Sequence, residues 1–222
     1  MDMELIKEIK QSRILRNVFV ALMGTVLLAI SSKVKIPFYP VPMTMQTLVI
    51  LFLGVALGWK LGIATVALYL FEGIIGLPVF SGSPEKGIGI VYFTGPTMGY
   101  LIGFLFTVYF AGSFNFTKNL LIRFLQLSFS VSFIYILGVL WLGTLIGWEK
   151  PLFQLGVQPF LLAELFKVLI VLISLPKLKN LINIYNNYLG ERFERIRCSV
   201  RLCILSLLAV SETFLLHNSN TR

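Results

Sequence analysis

Long runs of apolar residues recur along this chain, and they constrain its fold more than any other feature. A helix needs about 20 mostly apolar residues to cross a bilayer, with about 17–25 tolerated. Inside lipid a helix satisfies its own backbone hydrogen bonds, so helix is favoured over an open strand. We therefore predict an all-α polytopic membrane protein with six transmembrane helices and structured outer loops. The candidate spans are Ile14–Ser32, Thr44–Trp59, Leu61–Gly76, Pro96–Gly112, Leu121–Ile146 and Pro159–Leu175, the second and third forming a tight hairpin at Trp59-Lys60.

Composition excludes most soluble classes of protein. Of the 222 residues, 57% are hydrophobic and 13% are charged, whereas a soluble domain has about 45–50% apolar and about 25% charged residues. Too little charge remains to cover a water-exposed surface, which rules out a soluble enzyme, a disordered protein and a disulfide scaffold. The two cysteines, Cys198 and Cys203, are too few for a disulfide framework or a zinc site, so we expect free thiols.

The positive charges predict the orientation of the chain. With six spans both termini lie on one side, and 14 of the 19 lysines and arginines lie on that side. Because positive residues favour the cytoplasm, we expect a multi-pass protein of the cell (inner) membrane with both termini cytoplasmic. The net charge of +9 is then a topology signal, and a nucleic-acid partner is not expected. The remaining positive residues are Lys33, Lys35, Lys86 and Lys150 on the outer side and Lys167 within a span.

This topology divides the chain into three segments. Residues 1–13 form a cytoplasmic N-terminal segment, 14–176 the membrane domain and 177–222 a basic cytoplasmic tail. The apolar run Leu202–Val210 in the tail is too short to cross a bilayer. The tail is either an interfacial helix or a disordered extension, and its sequence indicates no function.

Prolines collect in the predicted outer segments. Only Pro176 of the nine prolines lies at the cytoplasmic end, and three lie in the run Ile36–Met43. Proline fixes φ and stiffens a loop, and ordered loops often carry function. We predict a structured extracellular cap over a pocket. The alternative, that prolines only end helices, suits Pro159 and Pro176 but not the run Ile36–Met43.

Small residues recur at a spacing of four, which places them in stripes along helices. Such stripes let helices approach closely in lipid. Packing within the bundle explains the glycine stripes, whereas the stripe in the first span fits either internal packing or contact with another protein. The stripes are Gly54, Gly58 and Gly62; Gly95, Gly99 and Gly103; and Ala21, Thr25 and Ala29.

Three acidic or basic residues lie within the predicted spans, beyond the first turn of each: Glu72, Glu164 and Lys167. Such residues are costly in lipid and mark ligand sites or pathways by default. Glu164 and Lys167 are three residues apart and share one face of the sixth helix, roughly 8 Å and 12 Å from Pro159. They could form an ion pair that only stabilises the bundle, or they could bind a small polar ligand beneath the cap. Glu72 lies near a helix end, where we expect it to be solvated.

No catalytic signature occurs in the sequence. A P-loop, nucleophile elbow, metal-ligand cluster and dinucleotide fingerprint are all missing, so we expect neither an enzyme nor a bound metal. Energised work by this chain would need a partner protein. A membrane enzyme that uses Glu164 as general acid or base beside Lys167 is the alternative, but the sequence offers it no nucleophile.

Four stretches resemble the family of biotin transporter substrate-binding subunits (BioY), the S components of energy-coupling factor transporters. They occur in family order with family spacing, and the resemblance covers roughly residues 15–176. Together they form a specific signature, although each alone is weak. The stretches are Pro40-Val-Pro-Met-Thr-Met-Gln-Thr47, Gly76-Leu-Pro-Val-Phe80, Gly95-Pro-Thr-Met-Gly-Tyr-Leu-Ile-Gly-Phe104 and Pro159-Phe-Leu-Leu-Ala-Glu-Leu-Phe-Lys167.

The resemblance implies a membrane-embedded subunit that captures biotin for uptake. Its implied partners are a transmembrane coupling protein and cytoplasmic ATPases, in the lipid bilayer. Biotin would be the transported substrate, and no cofactor is expected. An S component for another small vitamin is the alternative within the same class.

The resemblance also implies roles for individual residues. Glu164 and Lys167 would meet the polar end of biotin, with Glu164 standing where the family usually has the shorter aspartate. Ala21, Thr25 and Ala29 would contact the coupling protein, with Thr25 where alanine is usual. The remaining ligand contacts would be Phe80, Tyr92, Tyr100 and Gln46.

Overall fold

The computed structural model describes residues 2–37, 39–85, 87–116, 119–178 and 180. Most residues in this part of the chain are helical. In chain order the elements are α1 (Asp2–Lys33), β1 (Lys35–Ile36), β2 (Met43–Thr44), α2 (Gln46–Ile74), a 3₁₀ helix (Gly89–Thr94), α3 (Met98–Ser113), α4 (Leu120–Ile146), α5 (Leu152–Gly156) and α6 (Gln158–Leu178).

Four of the described helices are long and apolar enough to cross a membrane: the Ile14–Lys33 part of α1, and α2, α4 and α6. Helix α3 is also apolar but has 16 residues, fewer than a spanning helix usually needs. The prediction of a mostly helical, multi-pass membrane protein is thus confirmed. The described residues do not contain six such helices, so the predicted count of six spans is not confirmed. Two of the predicted spans lie within the single helix α2, and α3 is short.

Helix α2 is broken at Gly58, where the backbone has φ 74° and ψ 171°. The two arms fold back on each other. A Cβ built on Gly62 would lie 3.7 Å from the Cα of Gly54, and Gln46 Nε2 donates to the Tyr69 hydroxyl at 2.7 Å. The predicted hairpin is therefore present, with its turn at Gly58 beside the expected Trp59-Lys60.

A small antiparallel ladder of two strands departs from the predicted all-α fold class. Lys35 pairs with Thr44, and Ile36 with Met43, so β1 and β2 close the proline-rich stretch between them. Prolines cannot continue a helix, which explains why this stretch is extended. We use the name cap for residues 34–45 and 75–97, which lie between the ends of the long helices.

Side chains at the end of α1 hold the cap. Ser32 Oγ donates to Val79 O at 2.7 Å, and Lys33 Nζ donates to Phe80 O at 3.0 Å and to Ser83 O at 3.1 Å. These bonds satisfy loop carbonyls that no ladder reaches, and an unpaired buried carbonyl would be costly. The described cap is therefore an ordered structure tied to a helix.

Glycines set the distance between α3 and α4. A Cβ on Gly103 would lie 2.5 Å from Ile134 Cα, and Gly99 packs against the Leu137 carbonyl and Gly138. Gly54 in α2 approaches Ala111 in the same way, at 2.9 Å from a built Cβ. Internal packing therefore accounts for most of both glycine stripes, as small residues allow in lipid.

Two compact units divide the chain, Met1–Leu175 and Pro176–Arg222. Helix α1 runs without a break through the predicted boundary after residue 13. Of the predicted tail 177–222, only residues 177, 178 and 180 are described. The rest of the tail, Cys198, Cys203, Lys86 and Lys118 lie outside the described residues.

Candidate ligand-binding site

A narrow cavity of about 50 Å³ lies inside the first unit. Its walls come from the cap, the start of α2 and helices α3, α4 and α6. Both polar and apolar side chains face it, as is usual for sites that orient a small molecule. Five of the predicted ligand-binding residues line it together: Gln46, Tyr92, Tyr100, Glu164 and Lys167.

Glu164 and Lys167 form a buried ion pair, with 6% and 4% of their surfaces exposed. The Lys167 ammonium donates to Glu164 Oε1 at 2.7 Å, as the spacing of three residues predicted. It also donates to Thr47 Oγ1 at 2.9 Å and to Thr44 O at 2.7 Å. Thr47 in turn donates to Glu164 Oε1 at 2.8 Å. The two charges thus compensate each other within a closed network that ties α6 to α2.

This network occupies all three ammonium protons of Lys167, because an ammonium has three donors and no acceptor. A ligand oxygen could reach Lys167 only by replacing one of its present acceptors. The second carboxylate oxygen of Glu164 differs, since Oε2 is buried and makes no hydrogen bond to any described residue. Tyr135 lies close enough to interact with Glu164. Glu164 Oε2 is therefore the carboxylate oxygen that can accept from a ligand N–H group, in a position close to Tyr135.

Gln46 lies at the first turn of α2 and connects the two arms of that helix. Its Nε2 donates to Tyr69, and its Oε1 accepts from Thr44 Oγ1 at 3.2 Å. One N–H of the amide remains for another acceptor, because a primary amide has two. Gln46 thus has both a structural bond and a free donor at the cavity wall.

The aromatic residues divide into two groups. Tyr92 and Tyr100 line the cavity, and their hydroxyls donate to Ser81 O at 2.8 Å and to Gly156 O at 3.0 Å. Burial raises the pKa of the Tyr92 phenol above its ordinary value, so the range of pH in which it is a neutral donor extends upward. Phe80 does not line the cavity and is 1% exposed.

Phe80 instead supports the cap from behind. Its ring stacks on Tyr92 with centroids 4.7 Å apart and meets Tyr69 edge-on at 5.3 Å. It also lies against Gly73, where any Cβ would collide with the ring. Phe80 was predicted to contact the ligand directly, but its ring packs on Tyr92, which lines the cavity. The sequence pattern does not show which side of a loop a ring faces.

The small-residue stripe of α1 lies inside the bundle. Ala21 and Thr25 are buried, with Thr25 at 2% exposure, and Ala29 packs on the core. The neighbouring Gly24 approaches Thr65 of α2. Within this chain the stripe therefore lies where α1 packs closely on α2, as the internal-packing alternative expects. Its contact with a coupling protein stays a prediction. Spacing alone indicates a close approach but not which helix makes it.

The remaining predictions concern Glu72 and metal binding. Glu72 is half-buried and does not line the cavity. Among the described residues, no cluster of three or more His, Cys, Asp or Glu side chains could hold a metal ion. Residues that the sequence analysis did not single out are Thr44, Thr47, Ser81 and Tyr135, all of which line the cavity.

Comparisons with known proteins agree with this architecture. A sequence profile described as the BioY family matches residues 4–184. The chain is similar to the "Probable biotin transporter BioY" of Pyrococcus horikoshii, at 31% identity over 153 residues, covering 69% of this chain and 90% of that protein. For the "Biotin transporter BioY" of Thermotoga maritima the identity is 31% over 168 residues, covering 75% and 98%.

A solved structure is similar to the fold described above. It is the crystal structure of "the S-component for biotin from an ECF-type ABC transporter", with a TM-score of 0.65 and 25% sequence identity. The similarity covers 76% of this chain and 93% of the solved chain. Since the family profile also spans most of the sequence, this chain belongs to the BioY family.

Proposed function

We propose that this chain is the membrane-embedded S component that captures biotin for uptake. The observation that carries the proposal is the buried Glu164–Lys167 pair at the wall of a cavity beneath an ordered cap. Ionisable groups inside a membrane domain mark ligand sites by default. The relatives named above are biotin transporters rather than enzymes, which supports capture and not turnover.

The chemistry of biotin suits the groups that line this cavity. Its fused rings carry two ureido N–H donors and one carbonyl, and its side chain ends in a carboxylate. Glu164 Oε2 can accept from a ureido N–H, and such a bond to a charged acceptor contributes about 1.5–3 kcal/mol. Tyr92 and Tyr100 offer aromatic surface to the rings.

Titration of the purified protein with several vitamins tests the proposal. We expect one site for biotin, no binding of thiamine or riboflavin, and recovery of biotin chemically unchanged. Leu162→Ala is the matched control, because Leu162 lies on α6 with 66% of its surface exposed and should bind biotin normally. Tighter binding of another vitamin, or conversion of biotin to a product, would contradict the proposal.

We also propose that the chain works with a transmembrane coupling protein and cytoplasmic ATPases. The sequence contains no P-loop for hydrolysing ATP, so a partner must supply energy for accumulation. The similar solved structure is an S component of an ECF-type ABC transporter, which supports this kind of partner. Co-purification of this chain with an energy-coupling factor module is the direct measurement.

For the membrane arrangement we propose six crossings, two of them the arms of α2, with both termini cytoplasmic. The excess of positive residues on one side supports this orientation. In a chain carrying Cys198→Ser and Cys203→Ser, Glu149→Cys should react with an impermeant maleimide in intact cells. Lys60→Cys should react only after permeabilisation. Both positions are exposed, and the reverse pattern would overturn the orientation.

A further inference from the structure

Most hydrogen-bond donors around the cavity are already committed to acceptors in the protein. Lys167 uses all three of its protons, as described above. The hydroxyls with defined acceptors are Tyr92 to Ser81 O, Tyr100 to Gly156 O, Thr44 to Gln46 Oε1 and Thr47 to Glu164 Oε1. Thr97 and Tyr135 interact with Tyr92 and Glu164. A ligand oxygen in this cavity therefore finds few free donors on the described lining residues.

Ser81 is the exception among these hydroxyls. The residue lines the cavity and is 4% exposed, and its Oγ is buried without a hydrogen-bond partner among the described residues. Leaving a buried hydroxyl unpaired costs about 1–3 kcal/mol. A ligand in the cavity that accepts a hydrogen bond from this hydroxyl would remove that cost.

The neighbours of Ser81 hold it in place. Tyr92 donates to its carbonyl at 2.8 Å, and the ring of Phe80, the preceding residue, is packed between Tyr92, Tyr69 and Gly73. A residue whose backbone is held in this way loses little backbone entropy when it binds a ligand. The cap thus presents the Ser81 hydroxyl at a defined position.

We propose that Ser81 is a substrate-contacting residue that donates to an oxygen of the bound vitamin. This inference rests on the proposed biotin site and divides that site into two chemical ends. Glu164 Oε2 is an anionic acceptor and favours the N–H groups of the ligand, whereas the Ser81 hydroxyl and the free N–H of Gln46 favour its oxygens. The oxygen is either the ureido carbonyl or the carboxylate of biotin.

Ser81→Ala tests the proposal through two measurements. Biotin should bind about three- to tenfold more weakly if the oxygen is the neutral carbonyl, and more weakly still if it is the carboxylate. The melting temperature of the unliganded protein should be unchanged or slightly raised, because no protein hydrogen bond is lost. Ser31→Ala is the matched control, since Ser31 is also buried but donates to Leu28 O at 2.8 Å. It should lower stability and leave affinity unchanged.

Comparison of biotin with biotinol identifies the oxygen, because biotinol has an alcohol in place of the carboxylate. A loss of affinity in Ser81→Ala that is equal for both ligands assigns the contact to the ureido carbonyl. A loss confined to biotin assigns it to the carboxylate. Affinity equal to wild type for both ligands would overturn the proposal, as would a fall in stability matching that of Ser31→Ala. Absence of biotin binding to the wild-type protein would instead overturn the proposed function itself.

Discussion

In Lys167→Met, biotin is expected to bind about ten- to a hundredfold more weakly, because Glu164, the acceptor for the ligand, loses the ammonium that positions it. The unliganded protein is expected to be less stable. Methionine is apolar, of similar length and a good helix former, so α6 should persist. The Glu164 carboxylate, however, loses its counter-charge while staying buried. Removing one partner of a buried ion pair costs about 3–5 kcal/mol. Calorimetric titration and thermal unfolding in detergent measure the two effects.

A double variant separates the charge effect from the binding effect. Glu164→Gln together with Lys167→Met leaves no uncompensated charge, so most of the stability should return. Affinity should stay low, because the anionic acceptor is gone as well. Near-normal biotin affinity in Lys167→Met alone would mean that the pair only stabilises the bundle, and Glu164 and Lys167 would no longer be assigned to the site.

Gly103→Val is expected to prevent α3 from packing on α4. The first side-chain atom would lie 2.5 Å from Ile134 Cα and 3.1 Å from Ile134 N. Because these neighbours are backbone atoms of a helix, they cannot rotate away. We expect the free energy of unfolding to fall by more than the value typical of overpacking, which is about 1–3 kcal/mol. Biotin binding should be lost as well, since Tyr100, Leu101 and Phe104 of α3 line the cavity.

Size-exclusion chromatography and thermal unfolding would detect this loss as aggregation or a lower melting temperature. Phe106→Ala is the control on the same helix, because 44% of Phe106 is exposed and its truncation creates no clash. If Gly103→Val melted and bound biotin as the wild type does, the close approach of α3 and α4 would be refuted.

The long helices were predictable because their signal is strong and local. The predicted span Leu121–Ile146 differs from α4 by one residue, and Pro159–Leu175 lies within α6. The short helix α5 and the ladder of β1 with β2 were missed, since elements of five and two residues depend on tertiary contacts rather than on periodicity.

The candidate site was predictable where a residue type was rare for its surroundings. Glu164 and Lys167 stood out because charges are uncommon in apolar spans. Thr47 and Ser81 gave no such signal. Hydroxyl residues in helices such as α2, which contains Thr47, often bond their own backbone, as Thr25 does with Leu22 O. Serine is also common in turns such as the one that contains Ser81. Only the folded chain shows that Thr47 joins the ion pair and that the Ser81 hydroxyl has no hydrogen-bond partner among the described residues.

The turn at Gly58 joins the two arms of α2 directly, so the number of residues in each arm determines how the arms face each other. Because no loop separates the arms of α2, each inserted or deleted residue would rotate the second arm by about 100°. Tyr69 would then turn away from Gln46, and Gly62 from Gly54. Insertions and deletions that this membrane domain tolerates should therefore fall outside Gln46–Tyr69, so natural variation in length should be confined to the cap and to the connections beyond α2.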